Sequence, residues 1–116
     1  MVRLSDNIQK SILANLNDII KTHTNISFIY GGQTEHSIKI RQKQHKNDDP
    51  DRFVGMDIRL VYKFNDNEIN QINKAEEFLI KLLKDNYGLN CLNIADTATG
   101  LNHQPGDKHR LYVMFR

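Results

Sequence analysis

Ile8, Ile12, Leu16, Ile19 and Ile20 recur at three- and four-residue spacing, which places them on one stripe of a helix. Gln9, Lys10, Asn15, Asn17 and Asp18 fill the watery side. Ser5 or Asp6 supplies a capping oxygen for the first backbone N–H groups. Thr22-His23-Thr24-Asn25 ends the helix, with a charged His23 favoured by the carbonyl end of its dipole.

The period then changes to two. Ile26, Phe28 and Tyr30 alternate with Ser27 and Ile29, so residues 26–30 read as a strand. Gly31-Gly32 with Gln33-Thr34-Glu35 reads as a turn, and Ile38 and Ile40 alternate with Ser37, Lys39 and Arg41 as the returning strand of a hairpin. Residues 43–53 have no apolar period and contain Pro50, which predicts a long loop. In 54–64, Val54, Met56, Ile58, Leu60, Tyr62 and Phe64 share one parity, the pattern of a third strand with a single core face.

Asn65 and Glu68 have the spacing of a capping box, followed by the stripe Ile69, Ile72, Ala75, Phe78, Leu79, Leu82 and Leu83. Gly88 suits the residue after this second helix, where the backbone turns left-handed. A fourth strand is expected over 89–95, a loop with Pro105-Gly106 over 96–107, and a last strand over 108–115. The predicted fold is therefore α+β: one domain over residues 1–116, in the order α-β-β-β-α-β-β. Its sheet is mainly antiparallel, with both helices on the apolar face.

Composition narrows the class without naming a function. At 116 residues, 39% hydrophobic and 26% charged, the chain is long enough for one core and too apolar for a disordered segment. A single cysteine, Cys91, forms no internal disulfide. No leader-like or membrane-length apolar run is present, so a cytoplasmic protein without membrane contact is expected. The net charge of +2 does not by itself imply an anionic partner.

Charge placement says more than charge total. If the apolar parities all face the helices, the other sheet face presents Lys39, Arg41, Arg59, Lys63, Arg110 and Arg116 around Tyr112, and Lys43, His45 and Lys46 extend it into the 43–53 loop. Such a surface can hold phosphates and stack a base. Lysine and arginine on exposed strands also serve solubility and discourage edge pairing.

The remaining constellations are weaker. Asp48, Asp49, Asp51 and Asp57 faintly resemble a nuclease carboxylate set, but an arginine, Arg59, follows where a lysine is needed to move a proton. His103, Asp107 and His109 fall short of a four-ligand zinc site. Neither a nucleophile elbow nor a phosphate loop occurs. The expected protein is a non-enzymatic binder without metal or cofactor. Its basic face and 43–53 loop would engage nucleic acid or a nucleic-acid-handling protein. The alternative is a protein–protein module (inhibitor, immunity protein, chaperone or adaptor, of the kind mobile elements encode) anchored by loop residues such as Phe53 and Leu101; a homodimer is compatible with either.

Overall fold

The computed structural model describes residues 3–23, 25–35, 37–93 and 109–116. Its elements are α1 (Asp6–Thr22), β1 (Ile29–Thr34), α2 (Ile38–Asp48), α3 (Pro50–Phe53), β2 (Asp57–Lys63), a 3-10 segment (Asp66–Gln71), α4 (Ile72–Tyr87), a 3-10 turn (Gly88–Asn90) and β3 (Arg110–Phe115). The fold is α+β, with one antiparallel sheet in the order β1-β3-β2. No helix among the described residues is long and apolar enough to cross a membrane.

The two amphipathic helices form as their patterns dictate. The Ser5 side chain caps α1 by accepting from Ile8 N at 3.2 Å. His23 closes it, its Nδ1 2.8 Å from the Ile19 carbonyl oxygen and its ring 4.6 Å from that of Phe115. The capping box at Asn65 and Glu68 is present, but it opens the 3-10 segment before α4 begins. The Glu68 carboxylate accepts from Asn65 N at 2.9 Å and from the Tyr62 hydroxyl at 2.8 Å. Burial and this carboxylate together push the Tyr62 phenol up to about 12. Replacing Glu68 by Ala should cost about 1 kcal/mol of stability. It should also bring the Tyr62 titration down while leaving it above its ordinary value, because burial remains; ultraviolet absorbance against pH measures this.

β3 is central and buried on both faces. Leu111, Val113 and Phe115 join Ile8, Ile12 and Leu16 of α1 and Ile72, Ala75, Leu79 and Leu83 of α4 in the main core. Tyr112 and Met114 point the other way, into a second core with Phe53, Met56 and Ile58 that is roofed by α2 and α3. Helices therefore cover both sheet faces, not one.

Four local predictions differ from the structure for identifiable reasons. First, Gly31-Gly32 lies inside β1 and does not turn. A Cβ on Gly31 would sit 2.9 Å from Leu83 Cδ1 of α4, and one on Gly32 would sit 2.5 Å from the Tyr112 hydroxyl. These glycines allow close approach on opposite faces of the strand.

Second, Ile38 and Ile40 belong to a helix. Ser37 caps it, accepting from Ile40 N at 3.4 Å, and the expected 43–53 loop is the rest of α2 followed by α3. Asp49 caps α3 by accepting from Arg52 N at 3.3 Å, with Pro50 in its first turn.

Third, β2 does not hold one parity. A register shift between Leu60 and Tyr62 sends Met56 and Ile58 to the second core and Val61 and Phe64 to the main one, leaving Leu60 41% exposed. The strand begins at Asp57, after a turn in which Gly55 has φ +73°. Asn15 of α1 donates to the Val61 carbonyl at 2.6 Å, satisfying part of the β2 edge.

Fourth, the described part of the expected strand over 89–95, residues 89–93, forms no strand and makes one parallel bridge, Cys91 to Ile29, with Leu92 N donating to Ile29 O at 2.7 Å. The Asn93 amide then substitutes for strand backbone, accepting from Gly31 N at 2.9 Å and donating to Gly31 O at 2.8 Å. Ile94 and Ala95, the expected loop 96–107 with Leu101, His103 and Asp107, and also His36, lie outside the described residues.

Candidate anion-binding surface

α2 is a helix with almost no apolar stripe, because polar side chains fix its inner side. His45 is 6% exposed, with Nε2 2.5 Å from the Tyr112 hydroxyl. Arg41 Nε donates to the same oxygen at 3.3 Å, and its Nη1 donates to Gln44 Oε1 at 3.1 Å. Gln42 donates to the Met56 carbonyl at 2.8 Å, and Ile38 packs partly against the second core. Since Arg41 donates into the phenol oxygen, the phenol proton is directed to His45 Nε2, which makes that nitrogen an acceptor and the imidazole neutral.

The electrostatics agree with this arrangement. Burial, reinforced by the guanidiniums of Arg41 and Arg52, lowers the His45 pKa to about 4. Burial also raises the phenols of Tyr112 and Tyr30 well above their ordinary value. The Tyr30 ring packs edge-on to His45 and Phe53, and the Arg52 guanidinium lies 5.3 Å from its centroid while donating to the Leu92 carbonyl. A neutral histidine and a protonated phenol sealed at 6% and 0% exposure hold α2 on the sheet; they do not face solvent as reacting groups.

The outer side of α2 is different. Lys39 and Lys43 are exposed and Lys46 half-exposed, and their i, i+4, i+7 spacing aligns them on one stripe. None of the three makes an ion pair or hydrogen bond among the described residues.

The other cations expected on a common open face are dispersed. Tyr112 is fully buried in the second core, so it cannot stack a base. Arg59 of β2 is exposed but donates to the Ile58 carbonyl at 2.8 Å and lies 5.9 Å from the Phe115 ring centroid, on the main-core side. Arg116 donates to the Val54 carbonyl at 2.7 Å and lies 5.0 Å from the Phe28 ring centroid. Lys63 and Arg110 pair in register at the opposite end of the sheet, the former exposed and the latter half-exposed. Among the described residues there is therefore no open basic sheet face, because α2 and α3 cover that side. Of the predicted residues the fold gathers Lys39, Arg41, Lys43 and Lys46 on one helix.

The weaker constellations fare as follows. Asp48, Asp51 and Asp57 are exposed, and Asp49 is occupied as a helix cap. The described residues contain no group of three His, Cys, Asp or Glu positioned to share a metal ion. His109 is 1% exposed, with Nε2 3.3 Å from a Glu35 carboxylate oxygen. Phe53, expected as a loop anchor, is 3% exposed inside the second core. A cleft of about 330 Å³ lies at one end of the sheet, lined by His23, Asn25, Ile26, Gly55, Asp57, Phe115 and Arg116, with no α2 residue in its wall.

Sequence reasoning placed His45 in a basic loop and missed that it is a buried, neutral anchor of α2 on the sheet, and it missed Arg52, which ties α3 down. Ser37 ahead of the first turn and Asp49-Pro50 at a cap were the local signals available. Comparison of the chain with protein-family models, with curated proteins and with solved structures finds no match.

Proposed function

We propose that this is a non-enzymatic binding protein that holds the phosphate backbone of nucleic acid on the outer stripe of α2. The observation that carries the reading is the alignment of Lys39, Lys43 and Lys46, solvent-facing and without intramolecular partners among the described residues. On the same helix the only acid is Asp48, near the C-terminal end. The helix is anchored through Tyr112, so its ammonium groups are presented from a fixed frame. Converging cations on a rigid element neutralise phosphates and release condensed counterions.

Gel-shift or anisotropy titrations at low salt test this. The wild-type protein is expected to bind DNA, and the K39Q/K43Q/K46Q variant, with an unchanged circular dichroism spectrum, to lose at least about tenfold in affinity. Absence of binding to both single- and double-stranded DNA at low salt would overturn it. One observation favours a second reading, an acidic protein partner: Ile40 is 50% exposed beside the stripe. In that case Ile40→Ala should weaken partner binding as much as loss of a lysine does, whereas DNA binding should be indifferent to it.

A further inference from the structure

We propose that α2 engages double-stranded rather than single-stranded nucleic acid, through phosphate contacts that read no base; this rests on the nucleic-acid reading above. Lys39 to Lys46 spans about 10 Å of helix axis at about 1.5 Å per residue. A duplex strand advances about 3.4 Å per nucleotide, so the three ammonium groups cover about three successive phosphate steps, enough for one phosphate each. A duplex holds those phosphates in place, whereas a flexible single strand has to be ordered first.

Among the described residues, the features a single-strand site needs are missing from this surface. Such sites combine a basic groove with aromatic platforms for unstacked bases. Here the stripe lies on the outward, convex side of a helix, and every described tyrosine and phenylalanine is buried or half-buried. The one ring on α2, His45, points into the second core.

Base readout is likewise unsupported by the side chains. A bidentate contact to guanine calls for a guanidinium, and Arg41, the arginine of α2, is committed to Tyr112 and Gln44. Gln42 is committed to the Met56 carbonyl. The lysines act as point charges, which position a protein on the backbone without reading sequence. Asn47 is an exposed amide on α2. It provides the check on this point, because Asn47→Ala should leave relative affinities for different sequences unchanged.

The test uses anisotropy with a labelled DNA duplex, each of its strands alone, and a second duplex of unrelated sequence. Neutralising about three phosphates predicts a log–log salt slope near −2.7, roughly a 40-fold loss of duplex affinity between about 50 and 200 mM salt. The duplex should bind about tenfold tighter than either strand at the lower salt, and the two duplexes should agree within about twofold. Equal or tighter binding of a single strand would overturn the duplex assignment while leaving nucleic-acid binding intact. Duplexes differing by more than about tenfold would overturn the phosphate-only assignment. Failure of every DNA to bind at the lower salt would instead remove the nucleic-acid reading and this inference with it.

Discussion

Replacing Gly32 with alanine is expected to destabilise the protein by about 2–3 kcal/mol, a large effect for one methyl group. The added Cβ would lie 2.5 Å from the Tyr112 hydroxyl oxygen and 2.7 Å from Cζ, inside any permitted contact. A flexible side chain would move aside. Tyr112 cannot, because it is fully buried and its hydroxyl is held by His45 and Arg41. Gly32 and Tyr112 are direct partners across β1 and β3, so the ring lies over a strand position that has no side chain. Relief would require moving the ring, and with it the contacts that seat α2. Urea denaturation measures the loss. In a Tyr112→Leu background, itself less stable, the further cost of Gly32→Ala should fall below about 1 kcal/mol, because the obstructing hydroxyl is gone. Equal costs in both backgrounds would contradict the packing described.

Acid should weaken the fold through His45. Its pKa is about 4 in the native state, against about 6.5 for an unperturbed imidazole. The unfolded chain therefore binds the extra proton over that interval, so stability is fully present above pH 6.5 and is lost as pH falls toward 4. The full interval corresponds to about 3 kcal/mol, with about 2 kcal/mol already lost between pH 7 and pH 5. Most of this window lies above ordinary carboxylate titration. His45→Gln should be less stable than wild type at pH 7, yet show a much flatter dependence from pH 7 to 5. A variant as steep as wild type would mean that another group carries the effect.

The same contacts explain how much of the fold was legible. α1 and α4 were readable because each lays an unbroken apolar stripe on the main core; Ser5 marks the start of α1 and Gly88 the end of α4, whereas Asn65 and Glu68 open the 3-10 segment that precedes α4. β3 was readable as a strand but not as an inner one: parity set Tyr112 on an open face, whereas Tyr112 and Met114 make its second parity apolar and buried. α2 was not readable by period, because His45, Arg41 and Gln42 dock it through hydrogen bonds. Two isoleucines two residues apart then imitate a strand. The Gly31-Gly32 pair resembles a turn unless the ring of Tyr112 and the leucines of α4, distant in sequence, are known to press on it.

The candidate site shared this fate. Strand parity sets Lys39 and Arg41 beside Arg59, Lys63, Arg110 and Arg116, with Lys43 and Lys46 in an adjoining loop, whereas the fold puts Lys39, Arg41, Lys43 and Lys46 on α2 and the others elsewhere. The helical spacing of the α2 cations becomes visible only once α2 is known to be a helix.

The most direct test of the nucleic-acid account is where the ligand touches the protein. Amide chemical shifts of the labelled protein, followed during titration with a short DNA duplex at low salt, report this residue by residue. The account predicts that the largest changes fall within Lys39–Asn47, with little change in the buried β3 strand. Changes centred instead on the cleft of His23, Asp57 and Arg116, or no changes at saturating duplex, would contradict it.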